Sequence, residues 1–116
     1  MSFAQLRRSI DDLYASHPGV ESFVAKDVQY TPATRDKVLS VCRRGGPETD
    51  PGEFESVRLA GCAPLIFFFY SYGKQNAVPE SIDVARQIYW YAVRQVRGPF
   101  NAGAALRGLL QTWGIQ

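Results

Sequence analysis

Residues 59–73 read LAGCAPLIFFFYSYG, fifteen positions without a charge. Five of the six positions from 67 to 72 are aromatic: Phe67, Phe68, Phe69, Tyr70 and Tyr72. Taking each such ring out of water is worth about 1.5–3 kcal/mol, so this many rings in one place will not stay exposed. The segment is therefore a core, an interface or a membrane contact. A spanning helix needs about 18–20 apolar residues in succession. This run is shorter and is broken by Gly61, Pro64, Ser71 and two tyrosines. A buried core helix is expected, and no transmembrane segment.

Working outward from the run, Phe54, Val57, Gly61, Leu65, Phe68, Phe69 and Tyr72 recur near one helical face. They predict one long helix. Asp50-Pro51-Gly52-Glu53 reads as its start, with an N-cap, a first-turn proline and an acid. Pro64 has no N–H and its ring crowds the preceding turn, so a kink near Gly61, or two helices meeting there, is expected. Upstream lies the clearest loop, GGPETDPG at 45–52. Downstream, a turn is expected at 73–78. A second aromatic helix should then run from Pro79 to about Val96 and stop at Gly98-Pro99. Its apolar residues, among them Ile88, Tyr89 and Tyr91, cover more than half its circumference, which predicts a central position.

Three further segments complete the reading. Ser2 and Gln5 have capping-box spacing, and Phe3, Leu6, Ile10, Leu13 and Tyr14 follow as a one-sided stripe ending at Pro18-Gly19. Residues 20–30 read as a short helix and then an extended connector. Thr31 and Pro32 look like the N-cap and first residue of a helix carrying Val38, Leu39, Val41 and Cys42. Arg43 and Arg44 suit its last turn, and Gly45-Gly46 its left-handed stop. Asn101 opens a last helix with Leu106, Leu109, Leu110 and Trp113 as its stripe and Gly114 as its stop. The expected fold is all-α: a compact bundle of about five helices in one domain spanning 1–116, with a Pro-kinked aromatic helix at its centre.

Composition narrows function mostly by exclusion. The chain has 116 residues, 46% of them apolar and 21% charged, which suits a folded domain of common size. A net charge of +2 is too small to point to nucleic acid by itself. The distribution is uneven, however. Glu48, Asp50, Glu53 and Glu55 cluster without a base, whereas no acid follows Asp83 and Arg86, Arg94, Arg97 and Arg107 do. Cys42 and Cys62 are too far apart for a metal or redox pair and sit among apolar neighbours. Reduced, buried thiols are expected, and with them a cytoplasmic chain; the N-terminus carries acids and lacks the apolar run of a secretory signal.

No constellation for chemistry converges in the sequence. His17 is the single histidine, placed to cap a helix end, so no metal site and no cofactor are expected. A His17–cysteine pair is formally possible, but Cys42 falls near a helix C-terminus, which opposes a thiolate. Asp11 and Asp12 are neighbours on a helix and point apart. Neither phosphate-binding glycine pattern is present.

What remains is aromatic and basic. Tyr70, Tyr72, Lys74, Tyr91, Arg94, Arg97 and Trp113 could form a protein-binding edge. They could equally be core residues with snorkelling rims, or stacking and phosphate contacts for nucleic acid. The expectation is a non-enzymatic protein-interaction module, an adaptor or small subunit that binds a protein partner or self-associates through these residues. One alternative is a nucleic-acid binder using the basic C-terminal half. Another is a binder or enzyme for an apolar small molecule, with a cavity beside Pro64 and Tyr70 or Tyr89 reaching into it.

Overall fold

The computed structural model describes residues 2–26 and 29–93. The final helix expected from Asn101, with Arg94, Arg97 and Trp113, lies outside the described residues. Within them the protein is all-α: α1 (Phe3–Ser16), a 3-10 turn (Pro18–Ser22), α2 (Arg35–Arg44), α3 (Glu55–Asn76) and α4 (Pro79–Ala92). Among the described residues the sole β feature is an isolated antiparallel bridge between Ala25 and Tyr30.

Helix α1 begins as its sequence dictates. Gln5 N–H donates to Ser2 Oγ, and Ser2 N–H donates back to Gln5 Oε1, so two amides that the helix leaves unpaired find acceptors. Leu6, Ile10, Leu13 and Tyr14 are its buried face. The 3-10 turn and the bridge replace the expected short helix and connector at 20–30.

Two helix starts fall later than the sequence suggests. Helix α2 begins at Arg35, capped by Thr34, whose side chain accepts from Lys37 N–H. Thr31 instead accepts from Ala33 N–H, and Ala33 has φ 69°, a left-handed residue that no helix from Pro32 could contain. Helix α3 begins at Glu55, not Pro51, and residues 47–49 and 51–52 are turns. The glycines after α2 do not supply the expected left-handed stop, since Gly45 has φ −83°. They give room: a Cβ on Gly45 would lie 2.7 Å from Cys62 Sγ, and one on Gly46 would run into the Tyr91 ring.

Helix α3 is unbroken for 22 residues, through Gly61 and Pro64. Two helices meeting at Gly61 are thus excluded. The turn after it is shorter than expected, with Ala77 in the left-handed conformation and Pro79 already in α4. A hairpin of helices results. Ser81 Oγ donates to the Phe69 carbonyl at 2.6 Å, and Arg58 Nε donates to the Ala92 carbonyl at 3.2 Å. From Phe69 back to Arg58 is eleven residues, as is Ser81 on to Ala92, so one antiparallel register serves the whole pair. Gly73 lets the helices approach near the turn, where a Cβ would lie 2.6 Å from Ile82. Helix α4 ends at Ala92 rather than near Val96, with Val93 as its C-cap.

The aromatic run is core. Leu65, Ile66, Phe67, Phe68, Phe69 and Tyr72 are all buried. Phe68 meets Phe69, Phe23 and Tyr30 edge-on, with centroids 5.2, 5.6 and 6.4 Å away, a favoured geometry for ring quadrupoles. Tyr14 of α1 meets Phe69 the same way at 6.4 Å. Helix α1 packs on α4, and α2 lies across α1 and α3. Among the described residues no helix is long and apolar enough to cross a membrane.

Candidate functional site

The aromatic residues expected on a docking edge divide. Tyr91 is 1% exposed and Tyr72 8%, so both belong to the core. Tyr91 lies against Phe3, with ring centroids 6.0 Å apart, and fills the space beside Gly46. Tyr72 stacks edge-on with Phe23 at 5.3 Å. Each ring faces inward because another part of the fold crosses its face of α3 or α4. Tyr70 is half-buried, and Lys74 lies over its ring at 5.8 Å as a cation–π pair. Arg94, Arg97 and Trp113 lie outside the described residues, so the set is not seen assembled.

The thiols are sequestered. Cys42 and Cys62 are free and buried. Burial pushes the Cys42 thiol well above its ordinary range. It pushes the Cys62 thiol up to about 11, against a smaller opposing pull from the Arg58 guanidinium. An activated nucleophile needs the opposite shift.

A cleft of about 260 Å³ opens between α1 and α4, lined in part by Asp12, His17, Glu80, Asp83 and Gln87. His17 Nε2 stands 4.0 Å from Glu80 Oε2, too far for a hydrogen bond. Asp83 is engaged by Arg86 at 2.9 Å. No local sequence signal announces this grouping, which helix packing alone creates. A second, shallower cleft of about 290 Å³ lies by Phe3, Asp36 and Arg43, where Arg43 sits 5.7 Å over the Phe3 ring. Neither cleft is lined by Pro64, Tyr70 or Tyr89. Among the described residues no three of His, Cys, Asp and Glu converge to hold a metal ion.

The most exposed apolar surface lies elsewhere, on the first turns of α3. Phe54 is 79% exposed and Val57 52%. Positions 54, 57, 61 and 64 follow one another along a helix face. Here that face carries Phe54, Val57, Gly61 and Pro64, with exposed Ala60 beside it and no charge on it. A Cβ on Gly61 would touch nothing, so the face is open to a neighbouring backbone. Glu48, Asp50, Glu53 and Glu55 lie at its N-terminal end, and none of them is buried.

The opposite flank of the same turns is tightly held. Arg58 is 6% exposed, and its guanidinium donates to the Glu53 carbonyl as well as to that of Ala92. The loop before α3 is thereby tied to the end of α4. Tyr89 marks the same junction: its phenol is pushed up chiefly by burial and then by Glu55. Sequence periodicity puts Phe54 and Val57 in the buried stripe, and the structure leaves both in water. Periodicity defines a face but not what covers it, and the acids just before Phe54 are the available sign of a surface.

Compared with known protein families, with curated proteins and with solved structures, the chain finds no match in any of the three.

Proposed function

We propose that this chain is a non-enzymatic protein-interaction module that docks its partner along the open stripe of α3. The observation that carries this reading is the exposure of Phe54 and Val57 on an uncharged helix face ending in four acids. A large aromatic and a neighbouring β-branched residue held in water are an anchor in search of a pocket. Ala60 and Gly61 give a flat, close approach for a second helix, and the acids favour a partner with basic residues beside its apolar ones. The partner class is thus an amphipathic segment, apolar on one face and edged with Arg or Lys.

Other features are in keeping with a binding role rather than catalysis. Both thiols are buried and held protonated, and His17 is not within hydrogen-bonding reach of Glu80.

The test is a photo-reactive benzophenone analogue in place of Phe54, introduced into the full chain in its source cells. The expected result is a single saturable adduct that unlabelled protein competes away and that Val57→Asp abolishes. Adducts that never saturate, or that survive Val57→Asp, would overturn the docking reading. A crosslink to nucleic acid would move the assignment to that alternative.

A further inference from the structure

Where α4 ends decides what first reaches the stripe. Helix α3 has 22 residues and α4 has 14, so at 1.5 Å per residue they are about 33 Å and 21 Å long. In the register set by Ser81 and Phe69 the shorter helix starts level with Ser71 and stops level with Arg58. Continuing that register by one residue sets Val93, the last described position, level with Val57. Along the α3 axis the chain thus leaves the described helices within one turn of the level of Phe54. Its exit is level with the first turns of the stripe, on the neighbouring Arg58 flank of α3, and is pinned there by the bonds from Arg58 to Ala92 and to Glu53.

The sequence beyond that exit matches the stripe in chemistry. Residues 94–116 contain Arg94, Arg97 and Arg107 and no acid. The stripe ends in Glu48, Asp50, Glu53 and Glu55 and has no base among residues 45–57. Leu106, Leu109, Leu110 and Trp113 recur at i, i+3, i+4 and i+7, an apolar pattern that needs an apolar surface to cover it. Phe54, Val57, Gly61 and Pro64 offer such a surface at i, i+3, i+7 and i+10.

We propose that the resident occupant of the α3 stripe is this chain's own C-terminal segment, residues 94–116, and that a partner takes the stripe by displacing it. The proposal rests on the docking reading above for its second half. The segment has the apolar spacing and the arginines of the class that reading calls for. Tethered at Val93, it meets the stripe at high effective concentration. A free partner must bind tightly enough to overcome that tether, so the segment sets the threshold for docking.

The test uses the full chain. Val57→Cys carries a nitroxide label; Cys42 and Cys62 are buried with protonated thiols and leave the label to position 57. The probe is the Trp113 indole N–H resonance, identified by its disappearance in Trp113→Phe. The expected result is loss of that signal at every protein concentration, and its return when Leu109→Asp and Leu110→Asp are added. Ala60→Cys is a second label site on the same face and gives the same loss. A Trp113 signal that persists with both labels overturns the proposal. Loss that grows with concentration assigns the stripe to a second copy and overturns it too. Failure of the two readings is separable. A persistent Trp113 signal with a saturable adduct at position 54 removes this inference and keeps the docking module. Signal loss without any adduct, even in the Leu109→Asp, Leu110→Asp variant, removes the docking module and leaves the stripe as an internal seam.

Discussion

The two ends of α3 are both rich in apolar residues and meet opposite fates. From Leu65 to Gly73 the helix is buried almost all round, whereas along Phe54, Val57 and Gly61 it faces water. Residue type does not explain the difference, since a Phe is 1% exposed at position 68 and 79% at position 54. Placement explains it. The C-terminal half is covered by α4 folding back, by Tyr14 of α1 and by Phe23 and Tyr30 from the connector. By the register that pairs Arg58 with Ala92, α4 runs alongside α3 as far as Arg58, and only residues 55–57, about 4.5 Å of helix, extend past it. Arg58 and Cys62 fill the inner flank of the N-terminal half, and nothing among the described residues covers the outer one. Hydrophobicity states that a surface wants covering, and the placement of the neighbouring elements decides which face of the helix they cover.

The contrast can be broken most strongly in the closed half. Phe68→Ala removes a ring that three other rings meet edge-on, in a site with little freedom to collapse. A loss of about 3–5 kcal/mol is expected, read as a lower urea midpoint with unchanged slope. A loss under about 1 kcal/mol would mean that this half is not the tight core described.

Arg58 joins the two halves. Arg58→Ala leaves the Glu53 and Ala92 carbonyls without its charge-assisted bonds. With each such bond worth about 1.5–3 kcal/mol, the expected loss is about 3 kcal/mol. Faster amide exchange at residues 47–57 and at the end of α4 should accompany it. A normal exchange pattern there would show that the guanidinium does not tie the loop to α4.

The thiols give a gentler probe of the inner flank. Cys62 is pushed from an ordinary value of 9.0 up to about 11, and Cys42 moves the same way. The folded state therefore holds these protons more tightly than the unfolded chain. Their contribution is whole below about pH 9 and is lost as pH rises toward about 11, because the unfolded thiols ionise first. Each tenfold change in proton affinity is worth about 1.4 kcal/mol, so Cys62 alone accounts for a decline of about 2–3 kcal/mol across that window. Between about pH 9 and 10 the thiols titrate ahead of the tyrosines, whose ordinary value is about 10, although Tyr14, Tyr30 and Tyr89, also pushed up by burial, add a smaller share toward pH 10. Urea midpoints there should fall for the native chain and fall much less steeply when Cys42→Ala and Cys62→Ala are combined. An equally steep fall in that variant would place the alkaline sensitivity elsewhere.

Much of the fold was legible because local chemistry and tertiary packing agree in it. The capping box at Ser2, the stripe of α1, the arginines ending α2, the proline opening α4 and the aromatic run as core all rest on interactions within a few residues, which sequence displays directly. The starts of α2 and α3 misled for a physical reason. Thr31-Pro32 and Asp50-Pro51 carry the residues that open helices, but the same residues make turns. The choice fell to Ala33 at positive φ and to the pull of Arg58 on the loop. The candidate site was less legible. A phenol suits a binding edge or a core equally well, and packing put Tyr72 and Tyr91 inside. Phe54 and Val57 have the spacing of buried residues, but spacing fixes a direction and says nothing about which face the neighbouring elements cover.

The smallest predicted effect is the sharpest test of the contrast. Phe54→Ala removes a ring that is already 79% exposed, so global unfolding should shift by less than about 0.5 kcal/mol. The effect should appear locally instead. With residues 94–116 seated on the stripe, losing the Phe54 ring promotes their release without unfolding the core, since segments of one protein open with different free energies. In the labelled full chain, Phe54→Ala should therefore return part of the Trp113 signal while the urea midpoint stays put. A large fall in the midpoint would mean that Phe54 belongs to the cooperative core after all, and the two halves of α3 would then be one.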